Sequence, residues 1–189
     1  MILSSKMVDK TTIKSLIDRY ETQDPEQIDF KNRFLEFLDS SDECFKRSHL
    51  VGHITGSTLV VNPDKTKVIL TLHKKLNCWL QPGGHADGDS DPMRVAAKEA
   101  WEETGIDGIQ FLSDQIFDLD IHTIPVFGDV PEHLHFDVRF LMQAPHENFA
   151  ISEESHDLKW FTFEESLKED LDSSLVRMIK RVQTLFKAH

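Results

Sequence analysis

Gln81-Pro82-Gly83-Gly84-His85-Ala86-Asp87-Gly88-Asp89-Ser90-Asp91-Pro92-Met93-Arg94-Val95-Ala96-Ala97-Lys98-Glu99-Ala100-Trp101-Glu102-Glu103-Thr104-Gly105-Ile106 runs from a glycine loop through an acidic stretch into a helix, and the rest of the chain is arranged around it. Pro92 has no N–H to leave unpaired and suits a first helical position, Asp91 before it is an N-cap, and Gly105 fits the left-handed residue that ends a helix. The spacing therefore predicts a helix from Pro92 to Thr104. At 100° per residue, Met93, Ala96, Ala97, Ala100, Trp101 and Thr104 share one side, whose alanines permit close packing on a sheet, while Glu99, Glu102 and Glu103 converge on the other. Carboxylates at this spacing repel by about 0.2–0.5 kcal/mol per exposed pair, and helix propensity does not require them. A solvated acidic face is one explanation. A divalent cation, which reverses the sign of the interaction, is the other. Hard oxygen ligands suit Mg²⁺ or Mn²⁺, and Gly83 and Gly84 let backbone approach the same ion or a phosphate.

Working outward, Ile54–Val61 and Val68–His73 are β-rich runs joined by Asn62-Pro63-Asp64-Lys65, which is hairpin chemistry. Two more strands are expected where Phe117, Leu119 and Ile121, and then Leu134, Phe136, Val138 and Phe140, alternate with polar residues. Upstream, Ile13, Leu16, Ile17 and Tyr20 form one helical stripe. A second helix is signalled by Asp24-Pro25-Glu26-Gln27, read as N-cap, first-turn proline and a Gln three residues on, followed by Phe30, Phe34, Phe37 and Leu38. This helical hairpin is expected to pack its aromatic face on the body; a dimer contact and a substrate lid are the alternatives. A last helix, opened by Ser174, carries Leu175, Met178, Ile179, Val182 and Phe186 on one side.

The chain has 189 residues with 21 Lys and Arg against 33 Asp and Glu, a formal net charge of −12. No basic block is present to neutralise a nucleic-acid backbone, so nucleic acid is not an expected partner. No stretch approaches the roughly 20 apolar residues of a membrane span, the opening Met1–Met7 lacks the apolar run of a signal peptide, and Cys44 and Cys78 are the only cysteines. A soluble protein of a reducing cytoplasm is expected.

Gly84, five residues, Ser90, seven residues, and then Lys98-Glu99-Ala100-Trp101-Glu102-Glu103-Thr104-Gly105-Ile106 resembles the Nudix box, G-x5-E-x7-R-E-U-x-E-E-x-G-U, where U is aliphatic. Pro82-Gly83 and the later Trp160-Phe161-Thr162-Phe163-Glu164-Glu165 are similar to residues that Nudix domains often carry, and the resemblance covers about Leu50 to His189. It implies an α+β fold, an α/β/α sandwich around a mixed sheet, here with residues 1–48 as an N-terminal helical extension and 49–189 as the Nudix domain. It also implies hydrolysis of a diphosphate linkage, typically in a nucleoside diphosphate joined to another group, with Mg²⁺ or Mn²⁺ held by Glu99, Glu102 and Glu103 and by a backbone carbonyl at Gly83 or Gly84. In this reading Glu102 or Glu103 orients the water or takes its proton, and Lys98 braces a catalytic Glu or simply pairs with Glu102. Glu153 and Glu154 are the candidates for a general base outside the box. Two positions depart from the pattern, Ser90 for Glu and Lys98 for Arg, which puts the usual ion pair between loop and helix in doubt; Asp89 or Asp91 is the alternative partner for Lys98.

His133, His135, Asp137 and Arg139 fall on one face of a predicted strand, as a plain polar sheet face, a substrate-facing set or a second cation site. Together with His53 and His85, which flank the expected cleft, His135 and Asp137 are the candidate substrate-binding residues. The proline and tyrosine that mark ADP-ribose-specific and dinucleoside-polyphosphate-specific members would fall near Ile121–Ile124, where neither occurs. Nucleotide sugars or ADP-ribose-like diphosphates lead the expectation, with nucleoside triphosphates next. A non-catalytic nucleotide-sensing module on the same fold is the rival from another class, and an isoprenyl-diphosphate isomerase using Cys78 is a weaker one. A homodimer is consistent with the family and with the aromatic faces of the extension.

Overall fold

The computed structural model describes residues 9–74, 76–150 and 155–187. Its centre is a pair of long parallel strands, β1 (Gly52–Val61) and β7 (His133–Gln143), in register from Gly52 opposite Leu134 to Val61 opposite Gln143. The expected hairpin is present: β2 (Lys67–His73) returns antiparallel to β1, and Asn62 Oδ1 closes the turn by accepting from the Thr66 and Lys67 amides, both at 2.9 Å. Short strands β3 (Trp79–Leu80) and β4 (Gly83–His85) pair with β2 and β1 respectively. On the far side, β5 (Gln110–Phe111) and β6 (Asp118–Ile124) pair with successive parts of β7. Strand β8 (Ser155–Thr162) adds to β2. The parallel β1–β7 pair among antiparallel neighbours makes the sheet mixed.

Even-numbered residues of the central strands face one layer of helices. There Ile54, Phe136, Val138 and Phe140 pack with α1 (Thr11–Arg19), α2 (Pro25–Ser40) and α3 (Pro92–Thr104). The opposite face carries Leu59, Val61 and Leu141 against Leu175, Met178, Ile179 and Val182 of α5 (Ser173–Lys187). A short helix α4 (Phe163–Ser166), closed by a Thr162–Glu165 capping box, leads into it. The α/β/α arrangement follows from strands that are apolar on both sides at their inner ends.

Both helices before β1 belong to the same core. Phe37 stacks on Phe136 with ring centroids 3.9 Å apart, and Phe34 meets the same ring edge-on at 5.3 Å. Gln27 departs from its expected capping role: Asp24 caps α2 through the Glu26 amide, while the buried Gln27 side chain donates to the Leu119 carbonyl at 2.8 Å and accepts from the Leu119 amide at 3.0 Å. It thereby pairs the outer edge of β6 as another strand would, because a buried edge must find partners.

Three further local expectations are corrected. Trp101 is 56% exposed, and Val95 takes the buried place; the packed stripe of α3 is the narrower set Pro92, Val95, Ala96, Ala100 and Thr104. The cap of α5 is Asp172, whose Oδ1 accepts from the amides of Ser174 and Leu175 at 2.8 and 3.0 Å. Neither Asp89 nor Asp91 meets Lys98, because Arg94, one turn nearer, takes both.

Candidate active site

Helix α3 is held as the sequence indicates: Asp91 accepts from the Met93 amide at 3.1 Å, and Gly105 ends the helix at φ 62°. Gly56 of β1 lets the helix in, since a Cβ there would lie 2.8 Å from the Pro92 carbonyl oxygen and 3.0 Å from Val95 Cβ. The helix is thus fixed against β1, and its carboxylates meet the loop that β4 carries. Glu99 lies against Gly84 so closely that a Cβ on Gly84 would fall 2.5 Å from its Cδ and 2.6 and 2.8 Å from its oxygens. Glu103 Oε1 accepts from the Gly83 amide at 3.1 Å. Lys98 Nζ links the other pair, at 3.1 Å from Glu99 Oε1 and 3.0 Å from Glu102 Oε2, and those carboxylates hold its pKa above the usual lysine value, Glu102 contributing most. The i, i+4 pair with Glu102 expected from the sequence is thus present, and the same ammonium also contacts Glu99.

Hard oxygens on a rigid helix, set against backbone that only glycine allows, fit a hard divalent cation such as Mg²⁺ or Mn²⁺. Lys98 and Glu102 are well exposed, so their pairing is weak and readily exchanged for a stronger cation.

The acidic loop before α3 is braced without the usual glutamate. Arg94 grips Asp89 through two hydrogen bonds and reaches Asp91, while Arg47, from the segment before β1, holds Asp87 through another pair. Hydrogen bonds from these arginines hold both Asp89 and Asp87 below the ordinary carboxylate range.

On the face of the sheet that carries α5, β1, β6 and β7 build a graded surface. His53, His135 and His122 form one row, Thr55, Asp137 and Asp120 the next, and Ser57, Arg139 and Asp118 the third, before the apolar Leu59 and Leu141. Asp137, expected near substrate, is buried and fully engaged, accepting from Thr55 Oγ1 at 2.9 Å, Ser57 Oγ at 2.7 Å and Arg139 Nε at 2.7 Å. Burial pushes its pKa up, but Arg139 and these donors hold it below the usual range. Arg139 also reaches Asp120 at 3.1 Å and Ser174 Oγ at 2.7 Å, and Arg177 of α5 pairs with Asp118. The sequence alternation that places Asp137 and Arg139 on one face carries the signal of this buried network, but does not name its partners on β6 and α5.

The remaining histidines gather at the open end of that face. His85 follows Gly84 on β4 and points to the side opposite Glu99, by strand alternation. Its ring centroid is 4.9 Å from those of both His53 and His135. His53 is only 2% exposed, whereas His85 and His135 are both half-buried. Burial, and then the neighbouring His85, lowers the pKa of His53 to about 4 and that of His135 to about 2; burial and then Arg47 lower that of His85. Glu153 and Glu154 lie outside the described residues.

The NUDIX domain model matches residues 52–182. The chain belongs to the Nudix family. A Nudix hydrolase from Clostridium perfringens superposes with a TM-score of 0.54 at 28% identity, covering 70% of this chain and 97% of that one. The NUDIX domain of Shewanella oneidensis NrtR, solved with ADP ribose, superposes at 0.52 with 17% identity, covering 80% of this chain and 97% of that one, a likeness of fold. Phosphatase NudJ of Escherichia coli (strain K12) is 37% identical over 54 residues, 29% of this chain, and the match spans 35% of that protein's length. Among the described residues of this Nudix protein, no helix is long and apolar enough to cross a membrane.

Proposed function

We propose that this Nudix protein is a divalent-metal-dependent pyrophosphohydrolase acting on a nucleoside diphosphate linked to another moiety, of the nucleotide-sugar or ADP-ribose type, or on a nucleoside triphosphate. The observation that carries the proposal is the cradle at Gly84: a glycine whose only possible side chain would collide with Glu99 is best explained by a carboxylate that must sit at that place. Glu99, Glu102 and Glu103 would hold Mg²⁺ or Mn²⁺, with a carbonyl of Gly83 or Gly84 as a further ligand. Bound there, the cation neutralises phosphate charge and lowers the pKa of a coordinated water.

The chain's own residues do the rest. Glu103, oriented by the Gly83 amide, or the more exposed Glu102 takes the proton of the attacking water while its oxygen bonds to phosphorus and the bridging P–O bond breaks. Lys98 positions Glu99 and Glu102. His85 and His135 are the substrate contacts at the rim, with His53 packed behind them. Asp137 acts indirectly by fixing Thr55, Ser57 and Arg139 beneath that rim. Glu153 or Glu154 is the proposed base outside the helix.

The test is turnover of nucleotide sugars, ADP-ribose, dinucleoside polyphosphates and nucleoside triphosphates with Mg²⁺ or Mn²⁺, beside Glu103→Gln. Cleavage of one class, lost with the metal and in the variant, is the expected result. Nucleotide binding with no cleavage of any class would replace the proposal with a sensing module.

A further inference from the structure

We propose that His53, His85 and His135 form a second cation site, selective for a transition metal of the Zn²⁺ class and separate from the carboxylates of α3. Three strands converge to make it. The parallel register sets His53 beside His135, and β4 brings His85 alongside from the opposite edge of β1. One ring nitrogen from each of the three lies within 4.8 Å of the others. Two more rings enclose the group: His133 stands 4.9 Å from His53, and His122 5.3 Å from His135.

Stacked neutral imidazoles are the simpler explanation, and hydrogen bonding argues against it. Neither Nδ1 nor Nε2 of His53 has a partner, although the residue is 2% exposed, and Nε2 of His135 is also unpartnered. A buried polar group that nothing satisfies is destabilising, because it has lost its hydrogen bonds to water without replacement. The outer rings differ: His133 Nδ1 is tied to the Pro131 carbonyl at 2.9 Å and His122 Nδ1 to Asp120 at 2.8 Å. The unsatisfied nitrogens are thus concentrated at the centre, where a metal would use their lone pairs.

Donor chemistry separates this site from the first. Imidazole nitrogen is a poor ligand for Mg²⁺ and a good one for Zn²⁺, Co²⁺ or Ni²⁺. Metal–nitrogen bonds of about 2.0–2.1 Å in a tetrahedron put ligand atoms roughly 3.4 Å apart, so ring nitrogens now up to 4.8 Å apart close by at most about 1.4 Å on binding. With His53 sealed beneath, three imidazoles would leave the fourth position of a tetrahedral ion to water or a substrate oxygen.

The 189-residue chain is stripped with chelator and titrated with Co²⁺ in excess Mg²⁺, following the visible d–d absorption of tetrahedral cobalt, and Zn²⁺ binding is measured by calorimetry. One equivalent is expected, with affinity lowered at least tenfold in both His135→Gln and His85→Gln and unchanged in Glu103→Gln. The circular dichroism and melting of each variant establish that it is folded; His85, half-buried at the end of β4, is the substitution least able to disturb the core. Absence of saturable Co²⁺ binding, binding that survives both histidine substitutions, or binding abolished by Glu103→Gln would each overturn the site. Because the readout is a spectrum rather than turnover, failure of the hydrolase proposal leaves the result interpretable.

Discussion

Gly84→Ala separates the needs of the fold from those of the proposed metal site. The new Cβ would fall 2.5 Å from Glu99 Cδ, where ordinary contact begins at 3.4 Å, so the carboxylate must withdraw by about 0.9 Å. What gives way is the end of a flexible side chain. An off-rotamer Glu99 costs about 1 kcal/mol, and the reduced freedom of the unfolded chain returns about 0.4–1 kcal/mol, so the net change is within about 1 kcal/mol and Tm moves by no more than about 4 °C. Metal coordination is stricter, tolerating about 0.2 Å, and a misplacement of about 1 Å can cost roughly 100-fold in rate. Calorimetric titration with Mg²⁺, which imidazoles bind poorly, should show affinity reduced at least about tenfold at nearly unchanged melting temperature. Gly83→Ala is the contrast, because its Cβ would lie 2.3 Å from Ser57 Cβ and 3.0 Å from Ser57 Cα. Strand β4 would have to part from β1, and a loss of about 1–3 kcal/mol or more is expected. Wild-type Mg²⁺ affinity in a folded Gly84→Ala protein would refute Glu99 as a ligand, and an unfolded Gly84→Ala protein would refute the cradle.

Acid should weaken the metal-stripped protein between pH 6.5 and 5. His53 titrates near 4 in the folded protein and near 6.5 when unfolded, so below 6.5 the unfolded chain takes up a proton that the folded one refuses. Stability present above that pH is lost as it falls, by up to about 2 kcal/mol at pH 5 for this group, and urea titrations across that range should show it diminished in His53→Gln. Arg139→Leu leaves the buried Asp118, Asp120 and Asp137 without their shared partner and should cost about 3–5 kcal/mol, read as a fall in the urea midpoint; a change under 1 kcal/mol would remove the network from the account of stability. Phe34→Ala, at a fully buried ring against Phe136, should cost about 3–5 kcal/mol by the same measure, whereas a freely hinged extension would lose almost nothing.

The legible parts were those written in local chemistry. Asp91, Pro92 and Gly105 bound α3 because caps and positive φ act within a turn, and Asn62 closes its hairpin for the same reason. The alternation of β7 revealed its two faces, but Arg139's partners on β6 and α5 required the tertiary fold. Strand β8 stayed hidden because its polar residues obscure the period of Leu158 and Trp160, and β3, β4 and β5 are too short to show one. Sequence position allows Gln27 to serve as a cap, but the unpaired backbone of β6, 92 residues away, claims the side chain instead. The glutamates were located through spacing, whereas the contact that constrains Glu99 belongs to Gly84 on another element.

The two departures from the Nudix pattern are connected by the geometry. An arginine at position 98 would bind a loop glutamate at 90 in a bidentate fork, drawing that side chain away from the carboxylates behind it. Here Ser90 offers no such partner, and bracing has passed to Arg94 with Asp89 and Asp91 and to Arg47 with Asp87. Lys98 is thereby released to Glu99 and Glu102, where a flexible, strongly hydrated ammonium is displaced more easily than a planar guanidinium. Restoring the pattern with Ser90→Glu and Lys98→Arg together should therefore shift position 98 toward the loop. If bracing had simply been lost, the double variant would gain stability. If it has moved to Arg94, the new pair competes for a loop already held, and the gain should stay within the 0–1 kcal/mol typical of exposed pairs while Arg94→Ala alone loosens the loop. Hydrogen exchange at the amides of Asp89 and Asp91 distinguishes these outcomes, because it reads the loop directly.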